Sequence, residues 1–139
     1  MMSSYEYQAQ YYETDQMGII HHSNYVRWME SARIWWMSQI GIDYKGMEEK
    51  GIISPVLEIS CQYKSMVRFE DTVLIEPIIE KYNGITLELS YRITDKESGE
   101  LRMLGSSKHC FLDRDGKIIS LKKSYPEYDR AFAENVRRI

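Results

Sequence analysis

Residues 11–41 read YYETDQMGIIHHSNYVRWMESARIWWMSQIG and predict both a long helix and the chemistry at its start. From about Asn24 to Ile40, apolar residues recur every three or four positions, the spacing of one buried helix face. The members of this face are Tyr25, Met29, Ala32, Trp36 and Ile40. Gly41 is the type of residue that ends a helix. Asp15 and His22 come just before the helix and are therefore candidates for a reaction site.

The start of this helix is predicted to be able to bind an anion or a polarised carbonyl oxygen. The first N–H groups of a helix have no partner within it, and the helix dipole adds positive potential there. Ser23 or Asn24 is the expected cap. Gly18 allows a tight turn that brings Asp15 to the amides, where its carboxylate would attack a carbonyl carbon or take a proton from water. His22 would donate a hydrogen bond to the carbonyl or orient the acid.

Simpler roles stay open for the same residues. An aspartate before a helix is commonly a turn or cap residue, and a histidine is more often structural than catalytic. His21 and His22 do not predict a metal site, because adjacent side chains point apart and no third ligand follows at a recognisable spacing.

The chain resembles the hotdog-fold acyl-CoA thioesterases of the 4-hydroxybenzoyl-CoA thioesterase and YbgC type. The residues that carry the resemblance are Tyr12-Glu13-Thr14-Asp15, Gly18, His22, Tyr25 and Glu30-Ser31-Ala32-Arg33. The similarity in the order of elements extends from Tyr5 to about Lys117. It implies that Asp15 is the catalytic carboxylate, that Gly18 shapes the turn, and that backbone amides from His22 to Asn24 form the oxyanion hole. His22 matches the YbgC branch, whereas the 4-hydroxybenzoyl-specific branch has tyrosine there.

Several residues near the motif are candidates for the acyl pocket: Tyr11, Met17, Tyr25 and Trp28. A place in an alternating strand is the simpler interpretation of Tyr11. Core packing is the default for the aromatic and methionine residues of the helix. A separate hotdog subgroup uses a glutamate on the central helix, but Arg27 and Arg33, each three residues from Glu30, favour an ion pair there.

The composition predicts one globular domain over residues 1–139. The chain is 43% hydrophobic and 28% charged, enough for an ordinary core. A net charge of −3 without a long basic run argues against nucleic acid as the main partner. Cys61 and Cys110 lack metal-site spacing and indicate reduced thiols in a cytoplasmic protein. Residues 1–6 lack the blocks of a signal peptide, and no apolar run is long enough for a membrane span.

The pattern of the whole chain predicts an α+β layout, with an antiparallel sheet of about five strands wrapped around the long central helix, and the resemblance implies that this is the hotdog fold. Apolar and polar residues alternate in the predicted strands, which cover 5–11, 57–64, 73–82, 85–94 and 101–112. The strand over 57–64 is expected to be half-buried. Asn83-Gly84 predicts a hairpin with a type I′ turn. Asp43 is expected to cap a short helix, and Pro126 to precede a terminal helix over about 128–136.

The expected function is hydrolysis of a small or medium acyl-CoA thioester to the free acid and CoA. No cofactor is expected, because CoA is part of the substrate, and an acyl-carrier protein is the alternative carrier. The cations available for the CoA phosphates are Lys64, Arg68, Arg92, Lys108, Lys122 and Lys123. The resemblance implies homodimers, with two sites at the subunit interface, that often pair into homotetramers. Two alternatives stay open. One is an enoyl-thioester hydratase or dehydratase that uses His22, and the other is a non-catalytic acyl-CoA or acyl-carrier binding module.

Overall fold

The fold is seen in a computed structural model that describes residues 4–137. Residues 1–3, which carry part of the signal-peptide prediction, lie outside the described residues. The helices are α1 (Ser23–Gln39), α2 (Tyr44–Glu49), α3 (Leu121–Ser124) and α4 (Pro126–Glu134), preceded by a one-turn 3₁₀ helix (Tyr11–Glu13). The strands are β1 (Tyr5–Gln8), β2 (Val56–Tyr63), β3 (Thr72–Tyr82), β4 (Thr86–Asp95) and β5 (Leu101–Cys110). They form one antiparallel sheet in the order β1-β3-β4-β5-β2, which confirms the predicted α+β class.

Contacts between Cα atoms group the chain into two compact units. Within the described residues, the first unit consists of 4–36, 61–77 and 91–105, and the second of 37–60, 78–90 and 106–137. The single domain expected from the composition stays a prediction.

The first unit contains most of α1 together with the strand segments that cover its apolar face. The buried residues of this part of α1 include Tyr25, Trp28, Met29 and Ala32. The ring of Trp28 lies 5.2 Å from that of Tyr7 in β1. Gly105 of β5 lies so close to the helix that a Cβ atom there would approach the Met29 sulfur to 2.7 Å. The small residue therefore lets the strand pack closely against α1.

The chain leaves β1 earlier than the alternating pattern predicts. β1 pairs with β3 from Tyr5, opposite Ile75, to Gln8, opposite Thr72, and then ends. The predicted strand position of Tyr11 is wrong, because this residue begins the 3₁₀ helix. The Gln10 N–H donates to the Glu13 carboxylate at 2.8 Å, a capping bond that competes with continued strand pairing.

The second unit contains the predicted hairpin between β3 and β4, but with a different turn. Gly84 has a φ of +92°, whereas Asn83 does not share the positive φ that a type I′ turn requires. Instead, the Asn83 side-chain oxygen accepts the N–H groups of Ile85 and Thr86 at 2.9 and 2.8 Å. The predicted hairpin is confirmed, but the prediction of a type I′ turn is wrong, because hydrogen bonds to the asparagine side chain replace part of the backbone turn.

The short helices of the second unit begin close to where the sequence predicts. Asp43 occupies the N-cap position of α2, although its side chain makes no capping hydrogen bond. Pro126 is at the first position of α4, which suits a residue without an N–H group. α4 is joined to β3 by the Tyr82 hydroxyl, which donates to Asp129 at 2.7 Å.

β2 forms an edge of the sheet and leaves its apolar residues uncovered within this chain. Leu57 is 53% exposed and Ile59 is 37% exposed. The prediction of a half-buried strand is therefore wrong for one chain taken alone. Cys61 and Cys110 are both free thiols. No helix within residues 4–137 combines the length and the apolar character needed to cross a membrane.

Candidate active site

A cavity of about 340 Å³ lies in the first unit, beside the start of α1. It brings together four of the predicted site residues, Asp15, Met17, His22 and Tyr25. The other lining residues are Ile19, Ile20, Tyr63, Lys64, Ser65 and Met66. Ligand pockets are commonly apolar with a few placed polar groups, and this lining has that character.

Asp15 is held in a tight turn that leaves one of its carboxylate oxygens free. Its Oδ1 accepts the N–H of Met17 at 2.8 Å and, more weakly, that of Ile19 at 3.4 Å. The Gly18 N–H donates to the Asp15 carbonyl at 3.0 Å, and the φ of +78° at Gly18 is one that glycine adopts readily. Within residues 4–137, Oδ2 of Asp15 has no hydrogen-bond partner. The carboxylate is thus oriented through one oxygen while the other stays available.

The main-chain amides at the start of α1 differ in their availability. Ser23 donates its N–H to the His21 ring nitrogen Nδ1 at 3.2 Å, and Asn24 donates its N–H to the His21 carbonyl at 3.0 Å. The His22 N–H has no acceptor in the part of the chain that the structure describes. Of these three amides, the one belonging to His22 is therefore available to a bound carbonyl oxygen.

The side chain of His22 is exposed, and its ring stacks on that of His21 with the centroids 4.2 Å apart. The expectation that these adjacent side chains point apart is therefore wrong. The His22 carbonyl accepts the Tyr63 hydroxyl at 3.3 Å. Burial and the neighbouring Cys61 raise the pKa of Tyr63 to about 12, so the phenol stays protonated and donates. Burial also raises the pKa of the Tyr25 hydroxyl.

Five predicted site residues lie outside the cavity lining: Tyr11, Gly18, Ser23, Asn24 and Trp28. Tyr11 is 73% exposed and contacts Phe69 edge to face. Asn24 is buried, and its side-chain amide donates to the Glu13 carbonyl at 2.9 Å. Trp28 is 2% exposed and donates its indole N–H to the Glu13 carboxylate at 2.8 Å.

Glu13 and Tyr63 are site neighbours to which the sequence assigned no role. Both are joined to the helix start by contacts between distant positions, which spacing along the chain does not reveal. Glu13, two residues before Asp15, is only 5% exposed in the structure, and buried charges require partners, but this burial is not visible in the sequence.

Of the six candidate cations, Lys64 is the one in the cavity lining. The intrahelical ion pair predicted for Glu30 does not form. Arg27 donates to the Asn24 side chain at 3.4 Å and Arg33 to the Tyr91 hydroxyl at 3.0 Å. Among residues 4–137, no group of three or more histidine, cysteine or acidic side chains is arranged to hold a metal ion.

Comparison with known proteins identifies the family. Residues 10–134 match the family described as the Thioesterase-like superfamily. The chain belongs to this superfamily. This member of the thioesterase-like superfamily is 36% identical, over 132 residues, to the Bacillus subtilis protein named "Putative acyl-CoA thioesterase YneP". The alignment covers 94% of this chain and 95% of the relative.

Solved structures place the fold within the same family. A DHNA-CoA thioesterase from Staphylococcus aureus superposes with a TM-score of 0.91 at 36% identity, covering 95% of this chain and 89% of that one. The hypothetical protein TT1821 from Thermus thermophilus superposes with a TM-score of 0.89 at 25% identity, covering 96% and 99%. The predictions of a hotdog fold and of a thioester hydrolase are thereby confirmed for this superfamily member.

Proposed function

We propose that this chain hydrolyses a small or medium acyl-CoA thioester to the free acid and CoA, with Asp15 as the catalytic carboxylate. One observation carries the proposal: a free carboxylate oxygen of Asp15 and a free N–H of His22 belong to residues that line the same apolar cavity. The names of the Bacillus and Staphylococcus relatives support CoA thioesters as the substrate class.

The cavity lining supplies a binding surface for the acyl group. Met17, Tyr25 and Met66 present apolar or aromatic surface, and burying acyl carbons there contributes about 25 cal/mol per Å². The thioester carbonyl would then lie at the start of α1. As its oxygen gains negative charge, the His22 N–H would donate to it, and one such preorganised donor lowers a barrier by about 2.7 to 4 kcal/mol.

Asp15 acts by one of two routes that give the same products. As a nucleophile, its Oδ2 bonds to the carbonyl carbon, the C–S bond breaks, CoA leaves as the thiolate, and water hydrolyses the mixed anhydride. As a general base, Oδ2 takes a proton from water while the water oxygen attacks the same carbon; the C–S bond then breaks, and the proton held by Asp15 passes to the departing CoA sulfur. The bonds from Met17 and Ile19 to Oδ1 orient the carboxylate for either route.

The remaining polar groups of the site bind rather than react. The His22 side chain would donate to the substrate or orient Asp15, and Lys64 would pair with a phosphate of CoA. No cofactor takes part in this scheme. Cys61 and Cys110 are unpaired thiols, which suit a reducing compartment, so the proposed site of the reaction is the cytoplasm.

We also infer that a second copy of the chain covers β2. The alternating residues of this edge strand predict one covered face, yet Leu57 and Ile59 are exposed in the single chain. Pairing two β2 strands across a two-fold axis would bury these residues and occupy the unpaired backbone groups of the edge. A homodimer accounts for the pattern, and pairing of dimers would give the homotetramer.

The single-domain prediction for 1–139 is kept, because one family match covers 10–134.

Thiol release from a panel of CoA thioesters tests the proposed reaction. Acetyl-, hexanoyl-, palmitoyl- and benzoyl-CoA are incubated with the protein, and free CoA and free acid are both quantified. We expect equal amounts of the two products from at least one thioester. A crotonyl-CoA arm that loses its enoyl absorbance without releasing thiol would indicate a hydratase. Binding by calorimetry with every thioester recovered intact would indicate a binding module, and either result would overturn the proposal.

A further inference from the structure

Glu13 is a buried carboxylate with three hydrogen-bond donors on its two oxygens. Its Oε1 accepts the Gln10 N–H at 2.8 Å. Its Oε2 accepts the Tyr7 hydroxyl at 3.0 Å and the Trp28 indole N–H at 2.8 Å. The side chain therefore joins β1, the 3₁₀ helix and α1, although it is only 5% exposed.

The main chain of Glu13 makes a second set of bonds to the start of α1. Its carbonyl oxygen accepts the His21 N–H at 2.8 Å and the Asn24 side-chain amide at 2.9 Å. His21 directly precedes His22, whose N–H is free, and Glu13 itself is two residues before Asp15. One residue thus connects the turn that carries the Asp15 carboxylate with the segment that carries the His22 N–H, and both Asp15 and His22 line the cavity.

From this arrangement we propose that Glu13 is a positioning residue for the hydrolysis, which fixes the Asp15 turn relative to the His22 N–H. The inference rests on the proposed function, because it assigns Glu13 no contact with substrate. Reactions between held groups are sensitive to small displacements, and a shift of about 1 Å can lower a rate by about 10²-fold.

The use of a charged side chain here favours a positioning role over simple packing. Burying a carboxylate is costly unless donors surround it, and apolar replacements of buried charges are often neutral or stabilising. Burial and the Glu13 carboxylate both raise the pKa of Tyr7, so its phenol keeps its proton and remains a donor. Three donors with fixed directions define the place of the carboxylate more narrowly than apolar contacts do.

A glutamine of the same shape cannot satisfy these donors. If its carbonyl oxygen accepts from Tyr7 and Trp28, its NH₂ group faces the Gln10 N–H, which is also a donor. If the amide is reversed, the NH₂ group faces the Trp28 indole, which can only donate. Glu13→Gln therefore breaks at least one bond in either orientation while changing the side-chain volume very little.

The test compares Glu13→Gln with wild type on whichever of acetyl-, hexanoyl-, palmitoyl- and benzoyl-CoA the wild type cleaves fastest. We expect kcat to fall about 10²-fold with KM changed by less than about threefold, because the cavity lining is retained while the reacting groups are displaced. The amide resonances of Met17, Ile19 and His22 should shift in the ¹H–¹⁵N spectrum of the variant. Unchanged kcat, or a loss confined to KM, would overturn the inference.

Two further variants separate positioning from general damage. Glu134→Gln makes the same chemical change at an exposed glutamate of α4, outside the cavity lining, and should keep wild-type kcat. Tyr7→Phe removes one donor to Glu13 and should lower kcat in the same sense but by less, about 3- to 10-fold. If Glu13→Gln does not fold, Tyr7→Phe decides: a wild-type kcat in that variant contradicts the inference.

Asp15→Asn, measured in the same assay, distinguishes failure of this inference from failure of the proposed function. Loss of turnover in Asp15→Asn with wild-type kcat in Glu13→Gln would contradict only the role of Glu13. Full turnover in Asp15→Asn would contradict the proposed role of Asp15, and with it the positioning that depends on that role.

Discussion

At the scale of single residues, Tyr63 joins the end of β2 to the start of α1. Its hydroxyl donates to the His22 carbonyl at 3.3 Å, and its ring lies 5.0 Å from that of Tyr25. With a pKa of about 12, it is a donor throughout the neutral range. The residue therefore holds the His22 backbone and forms part of the cavity lining at once.

Tyr63→Phe should lower kcat/KM for thiol release by about 2- to 10-fold, since one neutral hydrogen bond contributes about 0.5–1.5 kcal/mol. The ring contact with Tyr25 is retained, so the fold should be unchanged by circular dichroism. Tyr125→Phe is the matched control, because it removes a comparable hydroxyl-to-carbonyl bond, 3.4 Å to Lys50, outside the cavity lining, and it should behave as wild type. An unaltered kcat/KM in Tyr63→Phe would show that the His22 backbone needs no support from β2.

The sequence predicts some of these residues and not others for a physical reason. Asp15, Met17, His22 and Tyr25 lie close together along the chain, so a turn and a helix start suffice to bring them to one cavity. Tyr63 reaches the site across 41 positions of sequence, through the pairing of strands. Hydrophobic periodicity predicts which face of a strand is covered, but not which distant side chain reaches a given cavity.

At the scale of secondary-structure elements, the turn between β4 and β5 contains an acid-sensitive carboxylate. Asp95 accepts the Ser98 N–H at 2.9 Å and forms an ion pair with Arg102 at 3.3 Å. The Ser98 N–H, followed by the Ser98 hydroxyl and Arg102, lowers the pKa of Asp95. Because the folded pKa is the lower one, the stabilisation is present above the unfolded pKa of about 3.9 and is lost as pH falls below it.

Asp95→Asn should therefore reduce the amount of unfolding free energy that the protein loses at acidic pH. Urea unfolding at pH 6 and pH 3 should show that wild type loses more unfolding free energy over this interval than Asp95→Asn does. Asp115→Asn, at an exposed turn residue, should lose as much as wild type. An Asp95→Asn protein with the same pH dependence as wild type would show that Asp95 does not titrate differently on folding.

The elements themselves were predicted best where the pattern is long and repeats. α1 was expected from about Asn24 to Ile40 and extends over Ser23–Gln39. The predictions that failed concern side chains that bond to the local backbone. Glu13 ends the alternating strand early, and Asn83 replaces the type I′ turn, in both cases because a polar side chain competes with main-chain pairing.

At the scale of the whole molecule, the alternating sequence of β2 predicts one covered face, but this face is exposed in the single chain. A partner that covers it is therefore expected. Leu57→Lys combined with Ile59→Lys places like charges on opposing strands across a two-fold axis. Light scattering should show a monomer for this variant and a dimer or tetramer for wild type, and thiol release should fall with the loss of assembly. Ile118→Lys, at a residue 66% exposed outside β2, should keep the wild-type mass. A doubly substituted protein of wild-type mass would contradict the β2 interface.

The Asp15 carboxylate is proposed to act on the thioester carbonyl, and Asp15→Asn removes this one group. The amide keeps the size of the side chain and an oxygen for the Met17 N–H, so the turn should survive while the reactive oxygen is removed. Asp43→Asn is the matched control, because Asp43 is exposed and its side chain makes no capping bond. If Asp15 has this role, we expect kcat for thiol release from the preferred acyl-CoA to fall about 10²- to 10⁴-fold in Asp15→Asn and to be unchanged in Asp43→Asn. A folded Asp15→Asn protein that releases CoA at the wild-type rate would contradict this role.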